Sequence, residues 1–370
     1  MEIYIGTLLI ILLFAFLELR CKLTDIENKI LFSILYFIIV VQIGLRWETG
    51  TDWYPYYHHF SDVDEVSLVF INALAGFEIG YGFTTFFIYK IFGDYSFFLF
   101  FHALFFYGII FKTAKKYSPY LYLSLLFFYA TNLGLVGSNR QLMALAICLL
   151  ALPFVEKKKT IPFFLLILLA SFFHTTAILF SVYYFLNRVF KWQAICTILI
   201  IAFVIGKTSL PLKFFSLGGF VSESATYKVE FYGNEAKDAL KDASLSIFGL
   251  IKRILLLILF TCNFDYLNKK LPYYKIIYNG YAFGLFLYFM FSSSLLIIVN
   301  RGSLYFNIME SFLISSQLVF FKFSLDKVYV LLIIFIVSVF LLLQSISPYF
   351  DLFDPYKSLF YNIEFFREMY

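Results

Sequence analysis

The sequence predicts an all-α, polytopic integral membrane protein: a helical bundle of about ten transmembrane helices plus two re-entrant or half-helix segments. Three observations carry this. Of the 370 residues 62% are hydrophobic and 14% charged, a balance that would leave a soluble domain with large exposed apolar patches. Apolar runs long enough to span a bilayer recur along the chain between short polar breaks. Lysines and arginines flank alternate ends of those runs, the pattern that orients membrane helices.

The first run, 3–19, has the length of a secretory signal, but it lacks a basic start and is followed by Arg20 and Lys22 rather than a small-residue cleavage site. It is read as a retained span. Further spans are expected at 30–46, 95–111, 118–135, 138–155, 192–206, 246–263, 276–299, 303–321 and 328–346. With ten crossings, the loops carrying Arg20/Lys22/Lys29, Lys112/Lys115/Lys116, Lys157/Lys158/Lys159, Arg188/Lys191, Lys269/Lys270/Lys275 and Lys322/Lys327 fall on one side. The positive-inside rule makes that side cytoplasmic and puts both termini outside.

This topology needs two apolar segments that enter without crossing. The first, 77–92, carries Glu78, Gly80, Gly82 and Lys90 over about sixteen residues, short of the ~20 a crossing needs. The second, 161–186, has cations at both ends and Phe173-His174-Thr175-Thr176 at its centre, a re-entrant hairpin with a polar tip. The alternative for the second is one long tilted helix with a satisfied histidine. Outer loops are expected at 47–67 and 207–244, with an outer tail at 347–370; 1–370 forms a single transmembrane domain with no internal repeat.

Four scattered cysteines with no CxxC spacing support neither a disulfide framework nor a metal site. The net charge of +5 resides on helix flanks, where it serves topology and anionic lipid rather than nucleic acid. No Walker loop, GxSxG, HExxH or DxD-type site is present, so neither metal nor cofactor is expected.

The remaining polar residues concentrate near the outer face. The loop Arg46-Trp47-Glu48-Thr49-Gly50-Thr51-Asp52-Trp53-Tyr54-Pro55-Tyr56 combines turn formers, carboxylates and aromatics. Aromatic faces such as Trp53 and Tyr56 pack on sugar C–H groups and carboxylates accept hydrogen bonds from hydroxyls; an interfacial aromatic belt is the other reading. Arg140 opens the fifth span and Arg301 ends the eighth, while Lys252 and Arg253 lie a turn inside a helix end. Guanidinium pairs suit a diphosphate, and phospholipid snorkelling is the alternative for each. Glu310, midway along the ninth span, reads as a link between helices, and His102 as a packing residue.

Taken in order, these residues resemble the EpsG family of polysaccharide polymerases, which includes Wzy-type O-antigen polymerases. Gly50-Thr51-Asp52-Trp53 with Tyr56 and Phe60, Phe77-Glu78-Ile79-Gly80-Tyr81, Asn139-Arg140-Gln141, Phe173-His174-Thr175-Thr176-Ala177, Arg301 with Tyr305-Phe306, and Pro355-Tyr356-Lys357 are similar to the family's successive motifs. Ile79 departs from them, a proline being common there. The resemblance implies a glycosyltransferase of the bacterial cytoplasmic membrane with its site facing outside. It would move a growing glycan from undecaprenyl diphosphate to the non-reducing end of a lipid-linked repeat unit, with a flippase and a chain-length regulator as partners. In that reaction Arg46, Arg140, Lys252, Arg253 and Arg301 would hold diphosphates, and Asp52, Glu78 or His174 would take the acceptor proton. A lipid-linked oligosaccharide flippase and a single-addition transferase or ligase are the rival functions.

Overall fold

A computed structural model describes residues 1–74, 76–211, 213, 247–293, 295 and 298–360. Its α-helices are α1 (Glu2–Arg20), α2 (Asp25–Gly44), α3 (Trp53–Asp62), α4 (Val66–Leu74), α5 (Ile79–Phe92), α6 (Tyr95–Tyr117), α7 (Leu121–Asn132), α8 (Asn139–Glu156), α9 (Thr160–Ser171), α10 (Tyr183–Leu186), α11 (Trp192–Gly206), α12 (Ile247–Cys262), α13 (Phe264–Lys270), α14 (Tyr274–Phe291), α15 (Leu304–Asn307), α16 (Met309–Gln317) and α17 (Ser324–Ile346). Among the described residues there is no β-strand, as the sequence predicts for a chain whose backbone polar groups must be satisfied within each segment.

Among the described residues, five helices are long and apolar enough to cross a membrane: α1, α2, α6, α8 and α17 with its 3₁₀ extension to Leu352. Of the other expected spans, the one at 276–299 forms α14, as long as α8 at 18 residues, and the rest form shorter pieces. The interval 118–135 becomes the twelve-residue α7 and a 3₁₀ turn. The interval 303–321 is divided into α15, α16 and a further 3₁₀ turn. Near that division the Asn307 amide donates to Ser303 Oγ at 2.8 Å, a local polar bond of the kind that competes with the helical ladder. The loop expected at 207–244 lies, from 214 onward, outside the described residues, as does the tail from 361.

The chain divides into two compact units, residues 1–178 with 314–370 and residues 179–313. Unit 1 has two distinct ends. At one, Glu18 accepts the Leu121 and Tyr122 N–H groups at 2.8 and 3.1 Å, supplying two of the donors that open α7. Lys116 pairs with Glu156 at 3.1 Å, Arg20 donates to Ser324 Oγ, and Lys327 to the Tyr120 hydroxyl. The basic loops of this unit therefore gather together. Thr24 and Glu27 form a capping box that starts α2 at this end.

At the other end of unit 1 the tail folds over the loop after α2. Ser358 and Arg46 form an isolated antiparallel bridge, Trp47 N–H donates to Lys357 O at 3.1 Å, and buried Lys357 pairs with Glu48 at 2.6 Å. The Tyr4 hydroxyl reaches Phe353 O and that of Tyr356 reaches Gln42 O.

Two short segments arrive at this same end. α5 is closed by Gly93 in the left-handed region (φ 68°), and the next residue, Asp94, caps α6 by accepting Ser96 N–H at 2.7 Å. α9 stops at Ser171 and the chain resumes at Thr175 as a 3₁₀ helix that runs into the single turn α10. The interval 161–186 is thus two short apolar pieces broken at Phe172–His174, rather than one continuous helix.

Candidate active site

The site of unit 1 is built on contact between two loops. Gly50 (φ 102°) and Gly137 (φ 121°) take conformations that L side chains rarely adopt. A Cβ on Gly50 would collide with the Val136 carbonyl, and one on Gly137 would lie 2.7 Å from Thr51 N. Loop 46–52 and loop 133–138 therefore meet backbone to backbone, which fixes the start of α8.

Asn139 sits at the junction. Its Oδ1 accepts Arg46 Nη2 at 3.1 Å, its Nδ2 donates to the Tyr95 hydroxyl at 3.2 Å, and its carbonyl accepts His102 Nε2 at 3.0 Å. A carbonyl cannot donate, so His102 carries its proton on Nε2. Arg46 is 2% exposed and also donates to Ile43 O (2.7 Å) and Thr49 O (3.2 Å). Its guanidinium thus binds three neutral acceptors in the interior and acts as a framework group.

The next residue, Arg140, carries the site's chemistry. Nη1 donates to Glu78 Oε2 at 2.6 Å and to Gly76 O at 3.0 Å, and Nε donates to the Tyr56 hydroxyl at 3.1 Å. Its guanidinium lies over the Phe77 ring, 4.7 Å from the centroid, a cation–π contact. Arg140 keeps 19% of its side-chain surface exposed and Glu78 13%. The two N–H groups on Nη2 have no acceptor among the described residues.

Glu78 is the residue before α5, and its second oxygen accepts the Thr175 N–H at 3.3 Å. Gly80 N–H donates to Phe172 O at 2.8 Å. The start of α5 and the break after α9 are thus bonded to each other, with Glu78 bridging Arg140 to the His174 segment. His174 is 6% exposed; its Nδ1 lies 2.6 Å from Thr176 Oγ1 and accepts the Thr176 N–H at 3.4 Å, so in the neutral ring the proton resides on Nε2. Asp52 precedes α3, half-buried, one turn before Tyr56.

Behind Phe77 the His59 ring stacks in parallel at 4.1 Å. Thr85 Oγ1 spends its hydrogen on the Tyr81 and Gly82 carbonyls, so it accepts from His59 Nε2, while Asn72 Nδ2 donates to Nδ1. Burial, and then the nearby Arg140 charge, lower the His59 pKa to about 4. Burial pushes the Tyr56 phenol up while Arg140 draws it down. Phe77, His59 and Asn139 are supporting residues to which the sequence assigned no role; Phe77 and Asn139 stand within the quoted motifs, and His59 lies between Tyr56 and Phe60.

The two rings expected to contact sugar face inward. Trp53 is 6% exposed, stacked on Tyr57 at 5.1 Å, and Tyr56 is 4% exposed. On α3 the outward aromatics are Tyr54 and His58, in edge contact at 4.1 Å.

Unit 2 holds the other expected cations. Lys252 Nζ pairs with Glu310 Oε1 at 2.9 Å, so Glu310 does link helices. Arg253 lies over the Tyr288 ring at 4.4 Å and donates to Gly249 O. Arg301 occupies a π-helical turn, Ile298–Gly302, a form enriched at functional sites. Among the described residues no group of three or more His, Cys, Asp or Glu side chains could hold a metal ion.

Comparison with curated proteins and with solved structures gives no match. A family model does match, over residues 29–358, and it takes in the Arg46 loop, the Glu78–Arg140 pair, the His174 break and the Lys357 clamp. The chain therefore belongs to the EpsG family, a Wzy-like, polymerase-type family of membrane proteins.

Proposed function

We propose that the protein is an O-antigen-type polysaccharide polymerase that extends glycans carried on undecaprenyl diphosphate at the outer face of a bacterial cytoplasmic membrane. One observation carries the reading: Arg140 is held rigidly through three N–H groups, by a carboxylate, a carbonyl and a phenol, while the two on Nη2 remain for a ligand. Such a preorganised guanidinium suits a phosphate oxygen and the charge that grows on it as the glycosidic bond breaks.

In the proposed reaction the acceptor hydroxyl oxygen bonds to C1 of the growing glycan, the C1–O bond to the diphosphate breaks, and undecaprenyl diphosphate leaves with the electron pair. The hydroxyl proton goes to Glu78, the carboxylate paired with the arginine that holds the leaving group. Asp52 is the alternative base. His174, with Nδ1 occupied, serves as a donor through Nε2. Within unit 2, Arg253 and Arg301 offer further cations to a diphosphate, and Tyr54 of unit 1 offers an outward ring to the glycan. Two short segments, 77–92 and 161–186, enter the membrane from opposite faces and meet at Gly80 and Phe172. The gathering of basic loops at the far end of unit 1 supports placing that end in the cytoplasm.

The test is chain extension by the purified protein in liposomes with synthetic lipid-linked repeat units. A ladder of products is expected. A single added unit would instead make it a transferase, and no new bond would make it a transporter. A folded Arg140→Gln variant that still polymerises at the wild-type rate would overturn the diphosphate assignment.

A further inference from the structure

Unit 2 contains a cavity of about 300 Å³ between α10, α11 and α14, at the lower end of ligand-pocket sizes. Leu186, Phe190, Ile198, Leu199 and Phe286 are among its walls, and among the described residues that line it only Asn279 is polar. The Asn279 amide donates to the carbonyls of Leu186 and Arg188, each at 2.7 Å. That hangs the loop between α10 and α11 on α14 and makes the loop the cavity's rim.

By register the cavity lies against the first half of α11, the end that follows Lys191, and against the middle of α14. Arg188 and Lys191 on the rim are exposed and make no ion pair among the described residues. Beside them Val189 and Trp192 are 62% and 56% exposed. A loop that alternates cations with exposed apolar and aromatic side chains suits the head-group layer of a leaflet. The space is too small for a helix, whose diameter with side chains is about 10–12 Å, but it admits a stretch of hydrocarbon chain.

We propose that this cavity takes an acyl chain of an anionic phospholipid whose phosphate is held by Arg188 and Lys191. Chain and head group are then read by separate parts of the site. The apolar walls accept any acyl chain, and the two rim cations select negative charge. Each contributes long-range attraction as well as contact, since neither pairs with a carboxylate among the described residues.

The test is native mass spectrometry of the detergent-purified full chain, titrated with phosphatidylglycerol or phosphatidylcholine of identical acyl chains. Wild type is expected to hold phosphatidylglycerol about tenfold more tightly, in line with two cations near the head group. Arg188→Gln/Lys191→Gln should bind the two lipids equally. Ala194→Phe, an exposed position that lines the cavity, should weaken both. Equal binding to wild type, unchanged binding to Ala194→Phe, or displacement of phosphatidylglycerol by equimolar undecaprenyl phosphate would each overturn the proposal. Should Ala194→Phe not fold, quenching of Trp192 by brominated lipids decides in its place. Phosphatidylglycerol should quench more than phosphatidylcholine, by a difference that Trp192→Phe and Arg188→Gln/Lys191→Gln both abolish; equal quenching overturns.

Discussion

Gly80 and Phe172 meet backbone to backbone, the N–H of one donating to the carbonyl of the other at 2.8 Å. A Cβ on residue 80 would lie 2.8 Å from that same oxygen and 3.0 Å from the Phe172 Cβ. Two interrupted apolar segments are joined there, one bond away from the Glu78–Thr175 contact.

Gly80→Ala is accordingly expected to push the start of α5 off the break after α9, at a cost of about 1–3 kcal/mol for overpacking. Chain extension should fall further than the melting temperature indicates, because Glu78 loses its register with Thr175. Wild-type activity in Gly80→Ala would show that this contact does not hold the site.

Arg140→Lys keeps the charge but cannot bond Tyr56, Gly76 and Glu78 while also offering two N–H groups outward. Turnover is expected to fall about 10²–10³-fold, the loss typical of one donor to a developing anion. Steady-state kinetics on lipid-linked repeat units measure it.

His59 links the site to acid pH. Its folded pKa of about 4 lies below the unfolded value of ~6.5, so the unfolded chain binds the proton first. Stability is intact above pH 6.5, declines as pH falls from 6.5 towards 4, and loses nothing more from this group below 4. The full effect is about 3 kcal/mol. Thermal unfolding of wild type and His59→Gln between pH 7.5 and 4 should show a steeper acid decline in wild type.

The pair between Lys357, 4% exposed, and Glu48, 29% exposed, lets one partner be removed at a time. Glu48→Gln puts a neutral amide where a carboxylate faces a buried ammonium and should cost about 1–3 kcal/mol. Glu48→Gln/Lys357→Met should recover part of that loss. Additive effects in the double-mutant cycle would mean the two groups do not interact.

Much of this arrangement was legible in the sequence because it is local. Apolar runs give α1, α2, α6, α8 and α17, and the polar tip at His174 coincides with the break in 161–186. The partners were not legible. Nothing in the spacing of Arg46 and Arg140 tells a buried framework arginine from one with donors to spare; the difference is made by Asn139, Thr49 and Ile43 in one case and by Glu78, Gly76 and Tyr56 in the other. Trp53 and Tyr56 looked like a sugar platform because aromatic content is visible in sequence, whereas the face of α3 that packs on Tyr81 and Tyr95 is decided by long-range contacts. The shortness of α7 and the division of 303–321 also escape hydropathy, which registers apolar content and not the helix ends set by polar bonds such as that of Asn307.

The clamp of residues 353–359 on the Arg46 loop also bears on assembly in time. Every described helix is synthesised before the segment that pins Trp47 and Glu48 in place. A nascent chain can therefore have all its described helices inserted and still lack the contacts that finish the Arg46 loop. Truncation just before Phe353 should yield a membrane-inserted protein that binds lipid and makes no polymer.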